Sequence, residues 1–128
     1  MSIAYIVTAL VTAAANSFSG FAAMTRLEPI MRTLRPSLRK AGVPETWLVF
    51  PIGALKAAGA LGVALGLLGV PLVGTAAAAG LVLYFVCALY THLRVGDFSP
   101  QFYLAIVFLA LAVATLALDP ALIVVPTA

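Results

Sequence analysis

Apolar residues fill four stretches of this chain, at about 2–24, 47–70, 72–93 and 101–118, and most polar residues fall between them. Each stretch approaches the 20 or so residues that a helix rising about 1.5 Å per residue needs to cross a hydrocarbon layer about 30 Å thick. The pattern predicts an all-α integral membrane protein, a four-helix bundle forming a single transmembrane domain over residues 1–128.

The extended polar interval, 25–46, predicts something different. Leu27, Ile30, Met31, Leu34 and Leu38 recur at helical spacing opposite Arg26, Arg32, Arg35, Arg39 and Lys40, as in a short helix lying on a membrane surface. Pro29 suits the start of such a helix, whereas Pro36 is expected to break or kink it. An irregular basic loop is the other reading of the same residues.

In the second stretch Trp47 stands at interfacial depth, and Pro51 either starts the regular helix or kinks its first turn. Gly59, Gly62, Gly66 and Gly69 form a stripe of small residues, read here as close packing within the bundle and not as a dimer signature. Gly69, Val70 and Pro71 make a tight turn into the third stretch, where Gly74, Ala76 to Ala79 and Gly80 are again small. The two stretches should form an antiparallel hairpin. Asp119 and Pro120 end the fourth.

Composition agrees with the membrane reading: 64% of residues are hydrophobic and 9% charged, against roughly a quarter charged in a soluble domain. The formal charge of +3 comes mostly from one short interval, which fits topology better than nucleic-acid binding. By the positive-inside rule the loops holding the basic cluster and Arg94 face the cytoplasm, and the N- and C-termini lie on the non-cytoplasmic side of a cell membrane, the inner membrane in a bacterium. The first stretch lacks a basic leader and is followed by basic residues, so it is expected to stay as a helix despite the small residues Ala13 to Ala15. A lone cysteine, Cys87, supplies neither an internal disulfide nor a paired-thiol motif.

Lys56 is the strongest anomaly. About 9 residues beyond Trp47, it sits about 13 Å along the helix and near mid-membrane, where a cation costs about 2.5 to 3.5 kcal/mol unless it faces a cavity or a partner. Snorkelling to the interface is the alternative. Asn16 and Tyr84 fall at similar depth and are its candidate neighbours, although an interhelical hydrogen bond and simple aromatic packing would also account for them. At the next polar turn His92, Arg94 and Asp97 bring together an imidazole, a guanidinium and a carboxylate. Such a set serves for proton transfer or for holding an anionic head group, and equally for ending a helix. Gln101 and Tyr103 can join this mouth from the fourth helix. One His, one Cys and scattered acids do not compose a metal site, no phosphate loop or nucleophile elbow is present, and no cofactor is identified.

The run Pro51 to Lys56 (PIGALK) with Gly59 and Leu61, the turn at Gly69 to Pro71, and Thr91 to Asp97 (THLRVGD) together resemble the DoxX-like family of small four-helix membrane proteins. The resemblance spans roughly residues 5–118 in layout. It implies association with redox chemistry, because namesakes resemble subunits of a thiosulfate:quinone oxidoreductase; other relatives are linked to oxidative-stress defence or look like assembly chaperones for receptors. Many relatives carry a glutamate where Lys56 stands and a lysine where the first helix ends, whereas this chain has Met24, Thr25 and Arg26 there.

The leading expectation is a redox-associated or lipophile-processing membrane protein with a cytoplasm-facing pocket for a quinone-like or other small apolar molecule. Lys56 would hydrogen-bond or polarise the ligand, Asn16 and Tyr84 would orient it, and His92 with Asp97 would exchange protons, with Arg94, Gln101 and Tyr103 at the mouth. The competing expectation is a non-catalytic helper subunit or assembly chaperone that binds a partner membrane protein through its glycine and alanine faces. A small transporter would need an oligomer.

Overall fold

The computed structural model describes residues 1–70 and 72–122, and the chain is all-helical over them. The helices are α1 (Ile3–Thr25), α2 (Glu28–Ala41), α3 (Ala54–Leu67), α4 (Val73–Arg94) and α5 (Pro100–Ala117). Four segments are long and apolar enough to cross a membrane: α1, the segment Glu45–Leu67 that includes α3, α4 and α5. Pro71 and residues 123–128 lie outside the described residues, so the predicted Gly69 to Pro71 turn is seen only in part, through Gly69 at φ 92° and Leu72 at φ 66°.

The spans form a ring in which α1 packs against α3 and α5, and α4 packs against the same two. Met1, Gly69 and Pro120 surround one small cavity, so the start of α1, the α3–α4 turn and the end of α5 share one end of the bundle. The basic residues of α2 and the turn after α4 are therefore at the other. The core holds Tyr5, Ala9, Val63, Leu81, Phe85 and Ala112. Outward faces carry Ile3, Leu61, Leu83 and Val107, all exposed, as expected where hydrocarbon rather than water is the solvent.

Small residues set the closeness of α3 and α4. A methyl added to Gly66 would lie 2.6 Å from the Gly74 Cα, and one on Gly62 would lie 2.5 Å from the Ala77 Cβ. The predicted glycine stripe is thus spent on packing inside the chain. Between α1 and α5 the glue is polar instead, with the Thr12 and Thr115 hydroxyls 2.8 Å apart and both residues buried.

The polar interval is a helix, α2, and the loop alternative does not occur. Met31 and Leu38 bury its apolar face against Ala23 and Leu48, so α2 lies across the basic end as a cover. Arg35 fastens it, with Nε 2.7 Å from Glu45 and Nη2 3.2 Å from Glu28. The expectation that Pro36 breaks the helix is corrected: α2 runs on to Ala41. Pro36 is exposed, and the carbonyl it leaves unbonded belongs to Arg32, also exposed, where water can satisfy it. Pro36→Ala should therefore raise thermal stability only slightly, by about 1 kcal/mol or less; a large change in the denaturation midpoint would contradict this account.

The second span is the least regular. A 3-10 turn (Glu45–Leu48) and a kinked, irregular turn (Val49–Gly53) precede α3, with Phe50 at extended backbone angles inside the second. Pro51 thus kinks the segment, as one of its two predicted roles required.

Candidate functional site

Beneath α2 the helices leave a cavity of about 320 Å³ walled by α3, α4 and α5, with Ser19 of α1 at one side. Its walls are mostly carbon, from residues such as Leu34, Leu38, Leu48, Trp47, Leu104 and Phe108. The irregular start of the second span contributes Pro51 and Ile52, while α3 brings Lys56.

Lys56 stands where α1 and α3 nearly touch. A methyl on Gly20 would be 3.1 Å from the Gly53 carbonyl oxygen and 3.3 Å from the Lys56 Cβ, so the bare Gly20 lets α1 bring its neighbour Ser19 within reach. The Lys56 Nζ donates to Ser19 Oγ at 2.8 Å. Around it lie three rings, Tyr84 and Phe85 each at 5.9 Å from Nζ to centroid and Phe108 at 5.7 Å. Tyr84 and Phe85 meet edge to face at 4.8 Å, as do Phe85 and Phe108 at 5.3 Å, which fixes the rings against one another. The resulting group is a cation against aromatic faces at the inner end of an apolar chamber.

The other end is polar and tightly tied. His92 Nδ1 lies 2.9 Å from Asp97 Oδ2, and the Ser99 N–H donates to Asp97 Oδ1 at 3.1 Å. Burial would by itself raise the Asp97 carboxyl, but hydrogen bonds from Ser37, Ser99 and His92 outweigh it and hold the group down at about 2. The Ser37 and Ser99 hydroxyls are 3.0 Å apart, Lys40 Nζ donates to the Gly96 carbonyl at 3.0 Å, and Gln101 Nε2 donates to Thr33 Oγ1 at 2.7 Å. These contacts dock α2 onto the turn after α4, which closes through Gly96 at φ 65°.

Of the predicted site residues, Lys56, Tyr84, His92, Asp97 and Gln101 all line this one cavity. Three others do not. Asn16 is fully buried in α1, donates to the Thr12 carbonyl at 2.9 Å and leaves Oδ1 without a protein partner, and its side chain lies outside the lining. Arg94 and Tyr103 are exposed on the outside of α4 and α5 and also lie outside it. Depth along a helix is legible from sequence, whereas the face depends on rotation, and these three residues are turned away.

Ser19, Ser37, Phe85 and Phe108 are among the lining residues that the sequence did not single out. Ser19 had a signal, being a polar residue in an apolar span three positions from Asn16. The phenylalanines had none, since aromatic residues are ordinary in membrane helices. Among the described residues no group of three His, Cys, Asp or Glu side chains is placed to hold a metal ion.

The arrangement suits a small amphiphile in shape and chemistry, with carbon walls for a body, the Lys56 donors for an oxygen, and an imidazole–carboxylate pair near the basic end. In comparisons with known proteins, the model of the DoxX-like family matches residues 6–115. No curated protein and no solved structure matches the chain.

Proposed function

The chain belongs to the DoxX-like family of membrane proteins, and from its geometry we propose that it binds a small, largely apolar molecule, a quinone-like compound or another lipophile, in the chamber under α2, as part of a redox or lipophile-processing reaction. The observation that carries this reading is the joining of five polar or ionisable candidates, Lys56, Tyr84, His92, Asp97 and Gln101, on one otherwise apolar cavity. Intramembrane ionisable groups are rare because they are costly, and one that faces a cavity has a use there.

In this scheme Lys56 donates to an oxygen of the ligand and the Tyr84 hydroxyl orients it. The His92–Asp97 pair sits at the basic end, where the carboxylate holds the imidazole in position for proton exchange. The excess of Lys and Arg at that end argues that it is the cytoplasmic one and that the protein lies in a cell membrane. Asn16, Arg94 and Tyr103 have no direct part in the scheme.

The helper or chaperone reading draws its support from the glycine face. Gly59, Gly62 and Gly66 meet Leu81, Ala77 and Gly74 of the same chain, which weighs toward the pocket reading.

The test is native mass spectrometry of the gently solubilised protein, with spectra of its extracted lipid, for wild type and Lys56→Met. A retained quinone or other apolar metabolite that falls at least about ten-fold in the variant, the worth of one charge-assisted hydrogen bond, is the expected result. An empty wild-type protein that co-purifies stoichiometrically with another membrane protein would turn the assignment to a helper role.

A further inference from the structure

We infer that the ligand of this chamber carries an acidic head group: the cavity takes an elongated amphiphile whose carboxylate pairs with Lys56 while its apolar chain lies beneath α2. This rests on the pocket reading and adds to it the charge and orientation of the ligand.

Lys56 has an incomplete set of partners within the protein. An ammonium has three donors, and the protein acceptor of Lys56 is the uncharged Ser19 hydroxyl. Among the described residues the ion pairs are those of Arg35 with Glu28 and Glu45 and of His92 with Asp97, and none includes Lys56. Asp97 shares the cavity, yet its oxygens are occupied by His92 and Ser99, and the eight residues from Tyr84 to His92 put that pair about 12 Å further along α4. Asp119 lies at the opposite end of the bundle.

The surroundings of Nζ favour a cation. Tyr84, Phe85 and Phe108 stand within 6 Å of it, and ring faces attract an ammonium but give little to a neutral amine. A cation buried without a counter-charge is costly, and a bound anion is what removes that cost. A neutral quinone supplies an acceptor oxygen without supplying the charge.

Shape gives the rest of the ligand. The α4 lining runs from Tyr84 to Val95, about 16 Å by helix rise, so the chamber is long, and past Lys56 it is walled by Trp47, Leu48, Leu34 and Leu38. An acid with a flexible hydrocarbon chain fits that sequence of a cation followed by carbon. The cationic residues of α2, Arg32, Arg39 and Lys40, raise the local concentration of anionic amphiphiles at the same end.

The experiment uses Trp47, the single tryptophan of the chain and part of the cavity wall, as reporter. Full-length protein in zwitterionic nanodiscs is titrated near neutral pH with three quenchers, ω-bromoundecanoic acid, its methyl ester and decylubiquinone. Wild type, Lys56→Met and Lys56→Arg are compared, and circular dichroism melting verifies that each is folded. The acid should half-saturate at a concentration at least about ten-fold below its ester in wild type, as one charge-assisted contact provides; Lys56→Met should abolish the difference and Lys56→Arg should restore it. Equal affinity for acid and ester in wild type, or an acid preference that survives in Lys56→Met, overturns the acidic head group; saturable decylubiquinone quenching in that case leaves the pocket reading standing. Folded wild type that shows saturable quenching by none of the three overturns both.

Discussion

Gly66→Val should cost about 3 kcal/mol or more and leave little folded protein, because overpacking is worst where the obstacle is backbone. At Gly66 the first added carbon already meets the Gly74 Cα at 2.6 Å, and a methyl added to Gly74 instead meets the Gly66 Cα at 2.8 Å. No rotamer relieves a contact made by Cβ, so α3 and α4 must separate. Separation would also pull both helices from Tyr5, whose hydroxyl stands 3.5 Å from the same added carbon and whose ring belongs to the core. Gly80 is the control: it lies on the exposed face of α4 with nothing within 4 Å of an added methyl, and Gly80→Ala should match or slightly exceed wild type, since alanine favours helix by up to about 1 kcal/mol. Thermal melting and size-exclusion profiles in detergent measure both. A Gly66→Val protein melting like wild type would mean that the α3–α4 contact is not as close as described, and the glycine face would again be free for a partner.

That contact was legible in the sequence, because glycines at three- and four-residue spacing on one stretch faced small residues on the next. The four spans were legible for a similar reason: length and hydropathy fix a crossing whatever the helices do to each other. The stretch 47–70 shows the limit of this kind of reading. It reads as one apolar stretch, yet the backbone enters through a 3-10 turn and a kinked, irregular turn before α3 begins at Ala54, and only Pro51 marked the irregularity.

The site divides along the same line. Lys56, Tyr84 and His92 announced themselves by chemical type at a given depth, and all three face one cavity. Asn16 was expected at the same depth and has an equally unusual side chain, but Lys56 stands beside Ser19 and Gly20, about one turn further along α1, because the bare Gly20 decides where α1 approaches α3. The role of α2 was half visible. Its apolar stripe predicted a helix lying on the membrane surface, but the pattern does not tell lipid from protein, and Met31 and Leu38 turn out to cover the bundle itself. Hence the cover over the chamber, and the Ser37 and Thr33 contacts that hold it, come from tertiary packing.

The attachment of that cover leads to the second large effect. Asp97→Ala should loosen α2 by about 2 kcal/mol, since it removes the acceptor of Ser37, which lies on α2, together with that of the Ser99 N–H and of His92 in the turn beneath, and leaves part-buried donors unpaired. Trypsin reports this directly, because Arg32, Arg39 and Lys40 lie on α2, each followed by a residue other than proline. Cleavage within 28–41 should quicken by more than about ten-fold if digestion follows the open population. The same bond predicts a pH dependence of defined sign. The Asp97 carboxyl is lowered in the folded protein from 3.8 to about 2, so its contribution is fully present above 3.8 and is lost as the pH falls through about 2. A shift of that size corresponds to about 2 kcal/mol. Wild type should therefore melt progressively lower across that acidic window, while Asp97→Ala, already without the interaction, should show a shallower decline. If the variant is digested at the wild-type rate and its melting falls as steeply in acid, Asp97 does not hold the cover. The roof of the chamber would then depend on Arg35 and the buried Met31 and Leu38 alone.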